Sequence, residues 1–145
     1  MKKMVLIDGN SLINRAYYAL PPLNNSKGEP VNAVYGFTTM LIKAIGDYKP
    51  DYIAVAFDMH APTFRHKIYS EYKAGRKKMP DDLASQLPIL KEMLRLMGIC
   101  ILELETYEAD DIIGTMTRRF PIQSIVLTGD RDSLQLINDN TEVYL

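Results

Sequence analysis

Four short, uninterrupted apolar runs constrain the fold of this chain more than any other feature of its sequence. They are continuous rather than alternating and rich in β-branched residues, which is typical of strands that are covered on both faces. A fifth run, at the end of the chain, has the same character. The predicted strands are Met4–Ile7, Tyr52–Phe57, Ile99–Leu102, Ser124–Leu127 and Thr141–Leu145.

Apolar residues at spacings of three and four occupy stretches between these strands, which is the pattern of helices with one buried face. Strands that alternate with helices predict an α/β fold: a mostly parallel central sheet of about five strands with helices on both faces. The predicted helices are Val34–Tyr48, Leu83–Met97 and Glu108–Phe120.

The second predicted helix carries clear boundary signals. Asp81 or Asp82 can cap its start, and Gly98 is placed as its C-terminal cap. Pro88 should kink this helix or delay its regular part, because proline has no backbone N–H to donate.

Length and composition exclude several classes of protein. A chain of 145 residues suits one domain that buries its own core. Cys100 is the single cysteine, which excludes a disulfide framework and a zinc site built from several cysteines. No apolar run has the length of a membrane span or of a signal peptide, so we expect a cytoplasmic protein with no membrane partner.

Acidic side chains follow the apolar runs. The carboxyl ends of parallel strands meet at one edge of a sheet, where ligands bind, so we expect these acids to converge. Crowded carboxylates repel one another, and divalent cations remove that cost. Oxygen ligands without His or Cys suit Mg²⁺ or Mn²⁺. The seven candidate metal ligands are Asp8, Asp58, Glu108, Asp110, Asp111, Asp130 and Asp132.

Each acid also has a simpler interpretation. A lone Asp at a strand end is usually a turn or cap residue. Acids in the first turn of a helix, as from Glu108 to Asp111, are favoured by the helix dipole. Asp130 and Asp132 could cap a short following helix. The repetition of acids at equivalent strand ends favours the metal site.

Positive charge is concentrated in one loop-like stretch of about 20 residues, from His60 to Met79, although the net charge of the chain is only −1. Loops of this length are uncommon in a compact domain unless they are functional. Lysine and arginine pair with phosphates, and aromatic side chains stack on unpaired bases, so the stretch is a candidate nucleic-acid interface. A solvated charged loop is the alternative.

The chain resembles the 5′-nuclease domain of bacterial DNA polymerase I, a member of the flap-endonuclease and PIN-like superfamily, over essentially its whole length. The order and spacing of the matching pieces make the resemblance specific. These pieces are Leu6–Ser11, Arg15–Tyr17, Val34–Phe37, Ala56–Asp58, Phe64–Arg65, Tyr72–Arg76, Tyr107–Thr115 and Thr128–Leu136.

The resemblance implies a metal-dependent 5′-3′ exonuclease and flap endonuclease. Such an enzyme hydrolyses phosphodiester bonds at 5′ ends or flaps of DNA, and in RNA primers, during replication and repair, with two Mg²⁺ or Mn²⁺ ions. The implied partners are DNA with a 5′ flap or nick, an RNA primer–DNA hybrid, and a polymerase domain on the same native chain.

The resemblance also implies roles for individual residues. Five of the acids match a first metal site: Asp8, Asp58, Glu108, Asp110 and Asp111. Asp130 and Asp132 match part of a second site. Lys73 and Arg76 match catalytic residues that contact the scissile phosphate, in a helical or disordered arch between strand two and the following helix. The candidate nucleic-acid contacts are Arg15, Phe64, Arg65, Tyr72 and Lys77.

Two departures from the family pattern stand out. Thr106 takes a position where the family usually has glycine, and we expect a mild effect because threonine can cap the helix that follows. Residues 1–145 would form the catalytic core without the later acidic segment and the helical module that grips duplex DNA, so we expect weak activity from them alone.

Two other functions remain open from the residues. A PIN-type ribonuclease would share the metal chemistry, and a receiver-like regulatory domain would use one strand-end Asp as a phosphoacceptor. No phosphate-binding glycine loop and no GxSxG motif occur, which excludes nucleotide-dependent dehydrogenases and α/β-hydrolases.

Overall fold

The computed structural model describes residues 2–59 and 79–144, and these form a five-stranded parallel sheet with helices on both faces. The order of the strands in the sheet is β3-β2-β1-β4-β5. The predicted α/β fold is confirmed, and the observed strands agree with the predicted ones to within one or two residues. They are β1 Lys3–Asp8, β2 Tyr52–Ala56, β3 Cys100–Leu102, β4 Gln123–Leu127 and β5 Thr141–Tyr144.

The helices include one that was not predicted, α1, which follows directly after β1. Its buried residues Leu12, Ile13 and Ala16 have helical spacing, and the Asp8 carboxylate accepts a hydrogen bond from the Ser11 N–H as its cap. The helical spacing and the capping residue could have predicted α1 from the sequence. The helices are α1 Gly9–Ala19, α2 Asn32–Tyr48, α3 Asp81–Ala84, α4 Gln86–Leu96, α5 Ala109–Arg119 and a 3₁₀ helix, Arg131–Leu136.

No helix among residues 2–59 and 79–144 combines the length and the apolar character that crossing a membrane requires.

The second predicted helix is divided at Ser85 into α3 and α4. Pro88 is the third residue of α4, in the first turn, where a helix has no partner for its N–H groups, so the predicted delay is confirmed. Gly98 follows the helix with φ +75°, as expected of its cap. The predicted cap at Asp81 or Asp82 is wrong: Pro80 holds that position, and the two acids lie in the first turn.

The core has two halves, one on each face of the sheet, because side chains alternate along each strand. Val5 and Ile7 of β1 pack on the face covered by α1, α2 and α4. Met4 and Leu6 pack on the opposite face, which α5 covers. Continuing this alternation places the last side chain of β1 on the α5 face.

A buried glutamine connects the helices on the first of these faces. Gln86, which is 0% exposed, accepts hydrogen bonds through Oε1 from the N–H groups of Ala33 at 2.8 Å and Val34 at 3.1 Å. Its Nε2 donates to Asn32 Oδ1 and to the Asp82 carbonyl, each at 2.9 Å. Gln86 therefore caps α2 from α4, since the residue at the N-cap of α2 makes no side-chain capping bond.

The turn before α5 contains a strained residue. Thr106 has φ +70°, in the left-handed region that β-branched residues rarely occupy. The expectation that Thr106 caps α5 is wrong, since Glu108 is the N-cap. The positive φ of Thr106 explains why glycine suits this position, because glycine reaches positive φ without steric cost.

Replacing Gln86 should destabilise the protein more than an exposed glutamine does. The Gln86→Leu variant removes the partners of the Ala33 and Val34 N–H groups and of the Asn32 side-chain oxygen, so we expect the free energy of unfolding to fall by about 3 kcal/mol. Urea denaturation followed by circular dichroism measures this. Gln135→Leu, at an exposed position, is the control and should change stability by less than about 0.5 kcal/mol. Equal effects of the two substitutions would refute the capping role.

Glycine at position 106 should stabilise the protein. We expect Thr106→Gly to raise the free energy of unfolding by about 0.5–1 kcal/mol, because it relieves the positive φ. The matched control is Thr39→Gly, at an exposed position inside α2, where glycine should lower stability. Thermal unfolding of both variants gives the comparison, and a decrease at position 106 would contradict the strain.

Candidate metal centre

Strand alternation directs two of the predicted ligands to the same face of the sheet. Asp8 ends β1 and lies two residues after Leu6, which packs on the α5 face. Asp58 lies two residues after Ala56, which packs on that face too and pairs with Asp8 in the sheet. Both carboxylates therefore lie at the carboxyl edge of the sheet, towards α5, and Asp8 experiences the charge of Asp110 at the start of that helix.

The N-terminus of α5 holds a compact group of acids. Glu108, Asp110 and Asp111 can each place one oxygen within 4.8 Å of the others, close enough for the three to share a metal ion. Glu108 is buried and is the N-cap, and its N–H donates to Asp111 Oδ2 at 3.0 Å in a capping box. The helix dipole favours these charges. The capping role and the metal-binding geometry therefore coexist.

Asp58 is held by two backbone–side-chain hydrogen bonds. The Ala109 N–H, at the start of α5, donates to Asp58 Oδ1 at 2.6 Å. The Asp58 N–H donates to Asn10 Oδ1 at 2.7 Å. Asn10 was not singled out from the sequence as a positioning residue, and only its place in the Leu6–Ser11 piece of the family resemblance pointed to it.

A buried hydroxyl connects Asp8 to the end of β4. Thr128, which is 0% exposed, donates through Oγ1 to Asp8 Oδ2 at 3.0 Å and accepts from the Asp130 N–H at 3.0 Å. The Asp130 carboxylate accepts from the Asp132 N–H at 2.9 Å and caps the 3₁₀ helix. Asp132 is exposed. Of the predicted second pair, Asp130 is therefore linked to Asp8 through Thr128 and caps the 3₁₀ helix, whereas the structure does not bring Asp132 into the acidic group.

The electrostatics at Asp8 reflect this crowding. Asp8 is 7% exposed, and its pKa is raised to about 6, first by burial and further by the negative charges of Asp58 and Asp110. Hydrogen bonds from Ser11 and Thr128 lower the pKa, but they do not offset burial. An anion here is therefore unfavourable unless a cation accompanies it.

Arg15, a predicted nucleic-acid contact, lies beside this edge of the sheet. Its Nη2 atom is 3.1 Å from the point that a Cβ atom on Gly129 would occupy, just after β4. The Gly129 N–H donates to Ser11 Oγ at 2.6 Å, which holds this loop against α1. Arg15 is exposed, so its guanidinium is accessible to a phosphate.

An aromatic ring packs on the face of the sheet opposite the acids, directly before Asp58 in the chain. Phe57 is fully buried, and a Cβ atom on Gly9 would lie only 2.5 Å from its Cε1 atom. On α4, Lys91 places its Nζ atom 5.0 Å from the centre of the Phe57 ring and pairs with Glu103 at 2.7 Å. The position of Phe57 constrains Asp58, the next residue.

The predicted arch lies outside the described residues, and with it six predicted site residues: Phe64, Arg65, Tyr72, Lys73, Arg76 and Lys77.

Two bacterial relatives match this chain closely in sequence. DNA polymerase I of Bacillus subtilis is 49% identical over 147 residues, which covers 99% of this chain and 17% of that protein. The 5′-3′ exonuclease of Aquifex aeolicus is 45% identical over 146 residues, which covers 99% of this chain and 50% of that protein. The chain thus spans half or less of the length of these relatives.

Solved structures with low sequence identity share the fold. The bacteriophage T5 5′-exonuclease with bound zinc has a TM-score of 0.71 at 17% identity, and the match covers 99% of this chain and 55% of that one. The T5 flap endonuclease, solved with DNA and metal ions, has a TM-score of 0.74 at 19% identity, with 99% and 54% covered.

A family model matches almost the entire chain. The model describes the N-terminal resolvase-like domain of 5′-3′ exonucleases, and it covers residues 3–145. Together with the two relatives, this match confirms the resemblance that the sequence motifs indicated. The chain belongs to the 5′-3′ exonuclease family and carries its N-terminal resolvase-like domain.

Proposed function

We propose that this chain is the catalytic core of a divalent-metal-dependent 5′-3′ exonuclease and flap endonuclease, which hydrolyses phosphodiester bonds at 5′ ends or flaps of DNA and in RNA primers. The observation that carries the proposal is the acidic group of Glu108, Asp110 and Asp111, with oxygens within 4.8 Å of one another, beside Asp8 and Asp58. Family membership supports the same activity.

The donor set fits a hard divalent cation. The clustered ligand atoms are carboxylate oxygens, which suit Mg²⁺ or Mn²⁺ better than zinc. We assign a first ion to Asp8, Asp58, Glu108, Asp110 and Asp111. Asp130 and Asp132 would contribute to a second, after giving up the cap that Asp130 makes here. Bound ions would activate a water molecule and stabilise the leaving oxygen.

The surrounding residues orient the ligands and the substrate. Asn10 and the Ala109 N–H hold Asp58 in place, and the Thr128 hydroxyl holds Asp8. Arg15 would bind a phosphate of the DNA strand at the rim.

The basic segment would complete the interaction with DNA. We assign contacts with the scissile phosphate to Lys73 and Arg76, where they would offset developing negative charge. Phe64, Arg65, Tyr72 and Lys77 would bind the single strand beside them.

The substrates we propose are DNA with a 5′ flap or nick and RNA primer–DNA hybrids. A polymerase domain on the same native chain is a further proposal, supported by the polymerase relatives, of which this chain spans 17%. Action on replicating DNA would place the protein in the cytoplasm. Residues 1–145 alone should turn over slowly if a helical module elsewhere in the protein grips the duplex.

Cleavage of a labelled flap tests the proposal. We expect the chain to cut a 5′-flap duplex at its junction with Mg²⁺, to cut single-stranded RNA far more slowly, and to lose activity in EDTA. Asn10→Ala should lower the rate by about 10- to 100-fold, because it releases Asp58. Asn140→Ala, at an exposed position, is the control. Preferential cleavage of single-stranded RNA would instead support a PIN-type ribonuclease, and the absence of any metal-dependent cleavage would refute the proposal.

Removing the Asp8 charge should stabilise the metal-free protein. Folding raises the pKa of the Asp8 carboxyl from 3.8 to about 6. The folded protein therefore loses stability as the pH increases through that interval, because the buried group must give up its proton. Asp8→Asn should therefore raise the free energy of unfolding in EDTA at about pH 8 by up to about 3 kcal/mol. It should also abolish the further stabilisation that Mg²⁺ gives the unaltered protein.

Urea denaturation at several pH values, with and without Mg²⁺, measures both effects. Asp47→Asn, at an exposed position on α2, should change neither. If Asp8→Asn were less stable than the unaltered protein in EDTA, Asp8 would be an ordinary structural acid.

A further inference from the structure

An apolar cleft opens between the end of β3 and the side of α5. Its volume is about 490 Å³, within the usual range for small-molecule sites. Ile101, Leu102 and Leu104 form one wall, and Ile112 and Met116 of α5 form the other. The function proposed above makes no use of this space.

The cleft adjoins the candidate metal centre. Asp111 belongs to the acidic group at the start of α5 and also lines the cleft. Tyr107, which precedes the N-cap residue of α5, lines it as well and has 47% of its surface exposed. A molecule in the cleft would therefore lie next to whatever the acidic group binds.

The backbone fixes Tyr107 in a tight turn. Thr106 holds its positive φ of 70°, and the Tyr107 N–H donates to the Leu104 carbonyl at 3.2 Å. Strained residues of this kind concentrate at binding and active sites. The turn presents the tyrosine ring beside the cleft at a cost in backbone energy that a simple connection would not require.

The charges that line the cleft select the part of a nucleotide that could enter it. Glu103 and Asp111 are acidic, and the lining residues that the structure describes include no lysine or arginine. Lys91 offsets the charge of Glu103, so Asp111 is the lining acid that would repel a phosphate, and the described lining offers a phosphate no cation. An uncharged base fits apolar walls beside an aromatic ring. Aromatic side chains in single-strand grooves bind bases in this way.

We propose that this cleft binds one unpaired nucleobase of the substrate strand, adjacent to the phosphate that is cut, and that Tyr107 is its stacking platform. The proposal rests on the nuclease function proposed above and names a base-binding site for it. The phosphate of that nucleotide would extend towards the acidic group and its metal ions, while the base is removed from the duplex stack.

Fluorescence of a reporter base tests the stacking directly. A 5′-flap duplex carries 2-aminopurine at one nucleotide beside the flap junction, on either side in turn, and binds to the chain with Ca²⁺ in place of Mg²⁺. We expect quenching at one of the two positions in the unaltered chain and in Tyr107→Phe. Quenching should disappear in Tyr107→Ala, and KM for flap cleavage with Mg²⁺ should rise about tenfold.

A second variant and a control keep the test independent of folding. Thr115→Phe fills the cleft from α5 while Tyr107 is retained, and it should also abolish the quenching. Tyr35→Ala removes an exposed tyrosine from α2, which packs on the opposite face of the sheet, and should change neither quenching nor KM. Thermal unfolding checks that each variant is folded.

The outcomes separate this proposal from the function on which it rests. If the unaltered chain cuts flaps and Tyr107→Ala and Thr115→Phe match it in quenching and KM, the base-binding site is refuted and the nuclease remains. If the unaltered chain neither binds nor cuts the flap, both proposals fail. Quenching that disappears with Tyr107→Ala but persists in Thr115→Phe would place the base outside the cleft and refute the site.

Discussion

Repulsion between carboxylates that the fold forces together is the interaction on which the rest of this structure depends. Side chains alternate along parallel strands that are buried on both faces, so Asp8 and Asp58 must face the same helix, α5. The start of that helix is acidic in turn. Burial is the main cause of the raised pKa of Asp8, and the charges of Asp58 and Asp110 add to it. A protein that keeps such an arrangement retains a strong attraction for cations at that edge of the sheet.

Neutral groups hold the two strand-end acids in place. The Asp8 carboxylate accepts a hydrogen bond from the Thr128 hydroxyl, and the Asp58 carboxylate accepts one from the Ala109 N–H. The backbone N–H of Asp58 donates to the Asn10 amide oxygen. Such bonds orient the carboxylates without neutralising their charge, which remains for a metal ion. The supporting residues come from α1, α5 and the end of β4, so the ligands depend on the packing of the whole carboxyl edge.

The parts of the fold that follow from local pattern were predictable. Continuous apolar runs predicted the strands, and acids at their ends predicted the group at Glu108 to Asp111. The capping of α2 by Gln86 was not, because its partner Ala33 lies 53 residues away. Nor was α1, since the Asp8 that caps it was interpreted chiefly as a metal ligand. The positive φ of Thr106 was not predictable either, because threonine as a residue type indicated a helix cap and gave no sign of the backbone conformation.

Phe57 packs against Gly9 where the carboxyl ends of β1 and β2 lie side by side. The ring occupies the space that any larger residue at position 9 would need, because a Cβ atom there would overlap the ring at 2.5 Å from its Cε1 atom. A substitution there would act as a wedge, moving Asp8 and Asp58 apart without touching either carboxylate. An engineer who wished the centre to admit a larger ion would therefore begin with that glycine and leave the acids alone.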